Sequence, residues 1–301
     1  MKIAVAASPE VAIPTLAYLL ASEHDLALII SRPDSPVGRG RELTPTAVSK
    51  WATANSIELY CPNKAADFDE RLKSFDLVIT IGYGLLLPEF LLNQPKHGFI
   101  NLHFSLLPKL RGAAPAQRAI IDGLSETGVT VFQLDIGMDT GAIYYQTSHS
   151  IKPNTTAGEL LDELAQLGPS AIAQTLLAIE SGVAPVTQDN SVATSAPKLS
   201  KAEAQINWLD SAERIVNKIH GFAPNPGATS RFRGEVIRIM RARVSEQALP
   251  VGEISFTGGS VIVGTTTSAV ELIEVTPAGK KTMAASAWAN GARFTAGEII
   301  E

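Results

Sequence analysis

Short apolar runs alternate with helix-periodic segments along the first half of the chain. Residues 2–6 (KIAVA), 26–31 (LALIIS), 57–60, 76–81 (DLVITI), 98–102 (GFINL) and 129–134 (VTVFQL) read as strands. Helical patterns fall between them at 13–22, 45–55, 67–74 and 113–122. Unbroken apolar runs predict strands covered on both faces, and their alternation with helices predicts βαβ units around a parallel sheet. Ligands of such sheets sit outside the carboxyl ends of the strands, so the residues after Ile81, Leu102 and Leu134 become candidates.

The pattern changes beyond a long helical segment at 156–181, in which Gly168 and Pro169 mark a point of interruption. Residues 182–200 are polar, contain proline and show no period, which predicts a linker. A helix at 211–220 is followed by short alternating segments at 228–232, 235–244, 252–256, 260–265 and 268–275, separated by glycine-containing turns. Such spacing predicts a small β-barrel or sandwich.

Charge sharpens this division. Residues 1–197 hold 13 Lys and Arg against 20 Asp and Glu, whereas residues 198–301 hold 12 against 10. Five arginines and one glutamate crowd residues 229–243 (TSRFRGEVIRIMRAR). A net charge of −5 argues against a nonspecific polyanion binder, while that local basic stretch fits either phosphate contacts or a solvated strand face. One cysteine, Cys61, excludes an internal disulfide framework or a thiolate cluster, and the five histidines have no ligand spacing, so no metal is expected. The apolar stretch near the N-terminus is broken by Pro9 and Pro14, and no run approaches the ~18 apolar residues of a membrane span, so a soluble cytoplasmic chain is expected. Gly82-Tyr83-Gly84 lacks the third glycine of a dinucleotide fingerprint.

The chemistry concentrates at residues 99–119. Asn101 and His103 lie two apart at the end of a strand and so leave the same face. Thirty-six residues after His103, Asp139 sits in a loop with Gly137 and Gly141, which permit a tight turn back toward that strand end. An amide and an imidazole can donate to a developing oxyanion, and a carboxylate can orient the imidazole, a set suited to acyl transfer. No Ser or Cys occupies a nucleophile-elbow context, which favours direct transfer to an external nucleophile. Spacing alone fits a structural histidine and a loop-capping aspartate equally well.

The stretch NLHFSLLPKLRGAAPAQRAI at 101–120 strongly resembles the signature of the formyltransferases that use 10-formyltetrahydrofolate. The resemblance continues through Arg-Pro-Asp at 32–34, Gly-Arg-Gly at 38–40, Tyr83-Gly84, Leu87-Pro88, Thr127-Gly128-Val129-Thr130 and Asp139-Thr140-Gly141. It extends to Lys198-Leu199-Ser200-Lys201, Trp208 and the Pro-Ala-Gly-Lys-Lys of 277–281, and so spans essentially the whole chain. The first turn departs from the family pattern: Ala7-Ser8-Pro9 stands where Gly-Thr-Pro is usual, adding a β-carbon at one edge of the cleft.

The resemblance implies an α/β, Rossmann-like parallel-sheet formyltransferase domain at 1–182, a linker at 183–205 and a small OB-like β-barrel at 206–301 that grips tRNA. It implies transfer of formyl from 10-formyltetrahydrofolate to the α-amine of methionine carried on initiator tRNA, by a monomer needing no metal. Asn101 would donate to the formyl oxygen, His103 would stabilise the oxyanion, and Asp139 would pair with His103 and help remove the amine proton. The pterin would lie among Gly82, Tyr83, Gly84, Leu85 and Leu86, the turn of Ser105, Leu106, Leu107 and Pro108, and the loop beginning at Asp135. Arg32, Arg39 and Arg41 would reach the acceptor end of the tRNA, with Arg39 nearest the aminoacyl group, and Arg231, Arg233 and Arg241 would face it from the barrel. Two alternatives compete: a formyltransferase of the same fold acting on an amino-sugar nucleotide or a glycinamide ribonucleotide, and a noncatalytic tRNA-binding module. The basic β-rich tail argues against the purine enzyme, and the intact Asn101, His103 and Asp139 set argues against a pure binder.

Overall fold

The computed structural model describes all residues except 38–41, 65, 66, 69 and 86. Arg39, Arg41 and Leu86, named above as candidates, lie outside the described residues. The chain forms two compact units, one of residues 1–115, 127–149 and 161–197, the other of 116–126, 150–160 and 198–301.

The first unit is built on strands β1 (Lys2–Ala7), β2 (Asp25–Ile30), β5 (Glu58–Tyr60), β6 (Leu77–Ile81), β7 (Phe99–His103), β8 (Glu126–Gln133) and β9 (Ile143–Ser150). Between β2 and β5 a two-stranded ribbon pairs β3 (Ser35–Val37) with β4 (Glu42–Thr44). The sheet order is β5-β2-β1-β6-β7-β8-β9. It is parallel from β5 to β7, and β8 then pairs antiparallel with β7. The strands that read as continuous apolar runs are the ones buried on both faces: every residue of β6 is buried, and all of β1 after Lys2. β9, which alternates half-buried and exposed positions at the sheet edge, was not predicted.

Helices α1 (Ile13–Ala21), α2 (Ala47–Ala54), α4 (Pro115–Ile121) and α5 (Ala157–Glu180) follow the expected periodicity closely, whereas the short α3 (Glu89–Leu92) was not expected and the helix expected at 67–74 is a 3-10 turn at Glu70–Ser74. Thr46 caps α2, its hydroxyl accepting from the Ser49 N–H at 2.9 Å. α5 runs unbroken for 24 residues through Pro169. Beside it Gly168 packs closely, since a β-carbon there would lie 2.4 Å from Thr15 Oγ1 and 2.9 Å from Leu102 Cδ2.

Residues 183–197, read as a linker, pack within the first unit. Val186 bridges Ile143 through two 2.8 Å backbone hydrogen bonds, and Ser195 bridges Arg111. Most of these residues are exposed on one side, while Gln188 and Ala196 are buried and the backbone is tied to neighbouring loops.

The second unit holds α6 (Ala212–Phe222), a sheet ordered β10 (Ala228–Phe232), β11 (Glu235–Ser245), β14 (Ala269–Thr276), β13 (Ser260–Gly264) and β12 (Ile254–Thr257), then β15 (Met283–Ala284) on β14, and α7 (Ala285–Ala292). The C-terminal tail closes this sheet, with Ile300 bridging Phe232 beside β10 and Ile299 bridging Glu253 beside β12. Its core joins the buried face of α6 (Ile215, Val216, Ile219, Phe222) to Ile237, Ile239, Val263 and Leu272. A bulge in β11 near Met240 shifts the alternation by one residue. Arg238 before it and Arg243 after it therefore both face outward, while Ile237, Ile239 and Ala242 are buried.

Candidate active site

The carboxyl ends of β6 and β7 and the loop after β8 enclose a cavity of about 400 Å³. Gly82 turns the chain out of β6 with φ +56°, and a β-carbon there would lie 2.7 Å from Pro9 Cγ. Gly82, Tyr83, Gly84, Leu85 and Asp135 line the cavity together with Asn101, His103 and Asp139. Burial raises the Tyr83 hydroxyl to about 12 against the opposing pull of Arg32, so the phenol stays neutral.

Sheet register places Thr80 beside Asn101. The Thr80 hydroxyl donates to the Ile100 carbonyl at 3.2 Å, so it must accept from Asn101, whose Nδ2 lies 2.7 Å away. That orders the amide and leaves its second N–H at the cavity wall.

His103 is buried, and its Nε2 lies 3.0 Å from the Leu110 carbonyl. A carbonyl can only accept, so Nε2 carries a proton and the neutral ring keeps a lone pair on Nδ1. Burial holds the imidazole below its ordinary value, against the opposing influence of Asp139 and the Leu110 carbonyl. Nδ1 lies 3.7 Å from Asp139 Oδ2, too long for a hydrogen bond. That carboxylate oxygen instead accepts from the Gly112 N–H at 2.7 Å. Two acceptors therefore face one gap at the cavity wall, an arrangement that receives a group carrying protons.

The loop that presents Asp139 folds on itself. Asp135 Oδ1 accepts from the Gly137 N–H at 3.0 Å and from the Thr140 hydroxyl at 2.7 Å. Asp139 itself adopts φ +56°. Ile136 and Met138 leave the loop exposed at the cavity rim.

Ser105, Leu106, Leu107 and Pro108 are not among the cavity-lining residues. Their turn backs the site. Ser105 is buried with its hydroxyl on the Lys109 carbonyl, while Thr130 accepts from the Leu107 N–H and donates to the Ser105 carbonyl. Backbone groups hidden in a core need such partners, which is what the polar residues of this turn supply.

The arginine candidates divide. Arg32 is exposed, its guanidinium close enough to Tyr83 to act on it. Arg233 is bound to Glu298 through Nε at 2.5 Å and Nη2 at 3.0 Å, and Arg241 to Glu159 at 2.5 Å. These two are already partnered within the second unit. Arg231 is exposed, its guanidinium donating to the Gly234 carbonyl at 3.0 Å, and among the described residues neither it nor the exposed Arg238, not among the candidates, has a carboxylate partner for its side chain. Arg243, also exposed, is paired with Glu271.

Thr80, Leu110, Gln188 and Thr194 were missed. Thr80 acts across a strand pair and Leu110 through its backbone, so neither leaves a spacing signal, and the last two lie in a stretch without periodicity.

Residues 1–176 match the family described as formyl transferase, and residues 198–293 match its C-terminal domain. The chain belongs to the formyl transferase family. A methionyl-tRNA formyltransferase from Salinispora tropica is 40% identical over 307 residues, covering all of both chains. Among solved structures, the N-formyltransferase from Helicobacter canadensis in complex with folinic acid and dTDP-3-aminofucose superposes with a TM-score of 0.71 at 18% identity, covering 90% of this chain and 98% of that one. The methionyl-tRNA formyltransferase from Clostridium thermocellum gives 0.56 at 18%, covering 91% and 99%. At such identities the structures speak for the fold of this formyl transferase alone.

Proposed function

We propose that this formyl transferase moves the formyl group of 10-formyltetrahydrofolate onto the α-amine of methionine attached to initiator tRNA, giving N-formylmethionyl-tRNA for translation initiation. The observation that carries this acceptor is the 40% identity to a methionyl-tRNA formyltransferase over the full length, C-terminal domain included. The enzyme works as a monomer in the cytoplasm, where charged tRNA is met. Residues 1–182 do the chemistry, and 206–301 form the OB-like domain that holds the tRNA, the C-terminal partner suggested by its closed, arginine-bearing sheet.

The apolar walls of the cavity suit the pterin ring, with Gly82, Tyr83, Gly84 and Leu85 on one side and the loop from Asp135 on the other. An α-amine titrates near ~7.7–8.0, so a usable neutral fraction exists at pH 7 without a strong base. When its nitrogen bonds to the formyl carbon, the carbonyl pair moves onto oxygen, and the free N–H of Asn101 donates to that oxyanion. The new cationic nitrogen carries protons into the gap between His103 Nδ1 and Asp139 Oδ2, two acceptors 3.7 Å apart. His103 takes one proton as a neutral base, Asp139 stabilises the imidazolium, and the proton passes to the folate N10 as its bond to carbon breaks. Arg32, Arg39 and Arg41 would guide the acceptor end, with Arg231 as the barrel contact among the arginines named from the sequence.

Incubating the chain with 10-formyltetrahydrofolate and candidate acceptors tests the proposal. Formyl transfer to charged initiator tRNA, absent with free methionine, is the expected result. Transfer to an amino-sugar nucleotide with none to the charged tRNA would overturn it.

A further inference from the structure

We propose that Thr194 and Gln188, both in the segment that the sequence reads as a linker, are positioning residues that set the two sides of the gap between His103 and Asp139. The inference deepens the functional reading above and rests on it for the reaction, but its geometry stands on the free protein.

Thr194 acts on the His103 side. Leu110 is buried and adopts φ +60°, a conformation unfavourable for a residue with a β-carbon, so its neighbours must hold it there. In that conformation its carbonyl meets His103 Nε2 at 3.0 Å and its N–H donates to Thr194 Oγ1 at 2.8 Å. Thr194 is itself fixed through its backbone: its N–H donates to the Pro108 carbonyl at 3.3 Å, and its carbonyl accepts from the Arg111 N–H at 2.9 Å. Thr194 thus holds Leu110 from both sides: its hydroxyl takes the Leu110 N–H, and its carbonyl takes the Arg111 N–H of the peptide whose oxygen decides which imidazole nitrogen carries the proton. Removing the hydroxyl leaves the Leu110 N–H without a partner and the left-handed turn without its side-chain support.

Gln188 acts on the Asp139 side. It is buried, and all four hydrogen-bonding positions of its amide are filled. Nε2 donates to the Asp139 carbonyl at 2.9 Å and to the Gly141 carbonyl at 2.7 Å. Oε1 accepts from Arg111 Nε at 3.1 Å and Nη2 at 2.6 Å. Arg111 and Gly112 lie between the two sides: the Gly112 N–H holds the Asp139 carboxylate, and a β-carbon at Gly112, φ +128°, would lie 2.7 Å from the Ala196 carbonyl oxygen. The same short segment, 188–196, therefore fixes the backbone of Asp139 and the backbone that orients His103. Among the described residues, Asp139 is the charged group that acts on His103.

The test uses the full chain and reads the His103 ring by NMR in the absence of substrates, together with formyl-transfer kinetics and thermal stability. Thr194→Val keeps the side-chain shape and removes the acceptor; Thr194→Ser restores it. The Val variant is expected to titrate His103 at lower pH than the wild type, because the Leu110 carbonyl favours the protonated ring and would be less well placed. Its kcat is expected to fall about ten- to a hundredfold with little change in KM for the formyl donor, and Ser should recover both values. Gln188→Glu retains the acceptor for Arg111 but removes both donors to the 139–141 loop. It should lower kcat and also raise KM for the donor, since that loop lines the cavity. A wild-type His103 titration and kcat in Thr194→Val, or a kcat loss that merely tracks Tm with an unshifted titration, would overturn the role of Thr194. Wild-type kinetics in Gln188→Glu would overturn that of Gln188. Because the titration needs no substrate, an inactive wild type would sink the functional reading alone and leave this inference to be judged by the spectra.

Discussion

The cavity wall and the basic face of the C-terminal sheet both gather charged and polar side chains, but they hold them differently. At the cavity, His103, Thr80 and Gln188 are buried, and each is tied to a backbone carbonyl or to a side chain that is itself tied to one. On the sheet, Arg233 and Arg243 are exposed and pair with Glu298 and Glu271, while Arg231 and Arg238 have no carboxylate partner among the described residues. A buried polar group that loses its partner carries the full desolvation penalty, about 1–3 kcal/mol. An exposed ion pair holds weakly and can exchange its carboxylate for a phosphate. The first arrangement fixes atoms to a geometry, as bond making requires; the second keeps charges available for a large, hydrated partner.

If that contrast is right, the largest effects come from the cavity. Asn101→Ala and His103→Ala should each lower kcat by at least ~10²–10³-fold while the chain stays folded, the usual cost of deleting an oxyanion donor or proton acceptor. Loss of the neutral amine already lowers the rate below ~8; because burial depresses the His103 value, the further fall in kcat from a ring protonated in advance should set in only below the ordinary 6.5. A second acid limb centred between those two values would contradict this.

A milder effect is expected on the sheet. Arg238→Ala should raise KM for tRNA without changing kcat and reduce the dependence of log KM on log salt by about 1. Arg243→Ala, whose guanidinium is already paired with Glu271, should change that slope less. Equal slopes for the two variants would remove the distinction between paired and unpaired arginines.

The smallest effect concerns stability in acid. Burial pushes the Glu159 carboxyl up, but the Thr156 N–H and hydroxyl and the Arg241 guanidinium outweigh it and hold the group at about 2, below its ordinary 4.5. A folded value below the unfolded one contributes stability that is fully present above 4.5 and is lost as pH falls toward 2. Glu159→Gln should therefore flatten the fall of Tm in that window and leave its shape at neutral pH unchanged; a parallel Tm curve would contradict this.

The legible parts of the molecule are those whose burial is continuous along the chain. Apart from Lys2 and Thr80, the residues of β1 and β6 are apolar and buried, and Asn101 and His103 stand out because two polar residues interrupt such a strand at its end. The edge strand β9 is half-buried and polar, IYYQTSHS, and α7, ASAWANGA, is too rich in alanine and glycine to show a clear apolar stripe. Hydrogen bonds between distant residues left no pattern at all. The polarity of Gln188 and Thr194 suggests solvent until Arg111 and Leu110 are seen beside them, and the arginines of β11 read as free until Glu159 and Glu271 appear as partners.

The central claim is that a neutral imidazole and a carboxylate, held 3.7 Å apart with both lone pairs toward the cavity, together receive the proton of the attacking amine. Asp139→Asn tests it most directly, because it keeps the size of the side chain and an oxygen for the Gly112 N–H while removing the negative charge. Single-turnover formyl transfer with saturating donor and charged initiator tRNA should slow by about a hundredfold or more, with donor affinity preserved. A variant that transfers formyl at the wild-type rate would contradict the account.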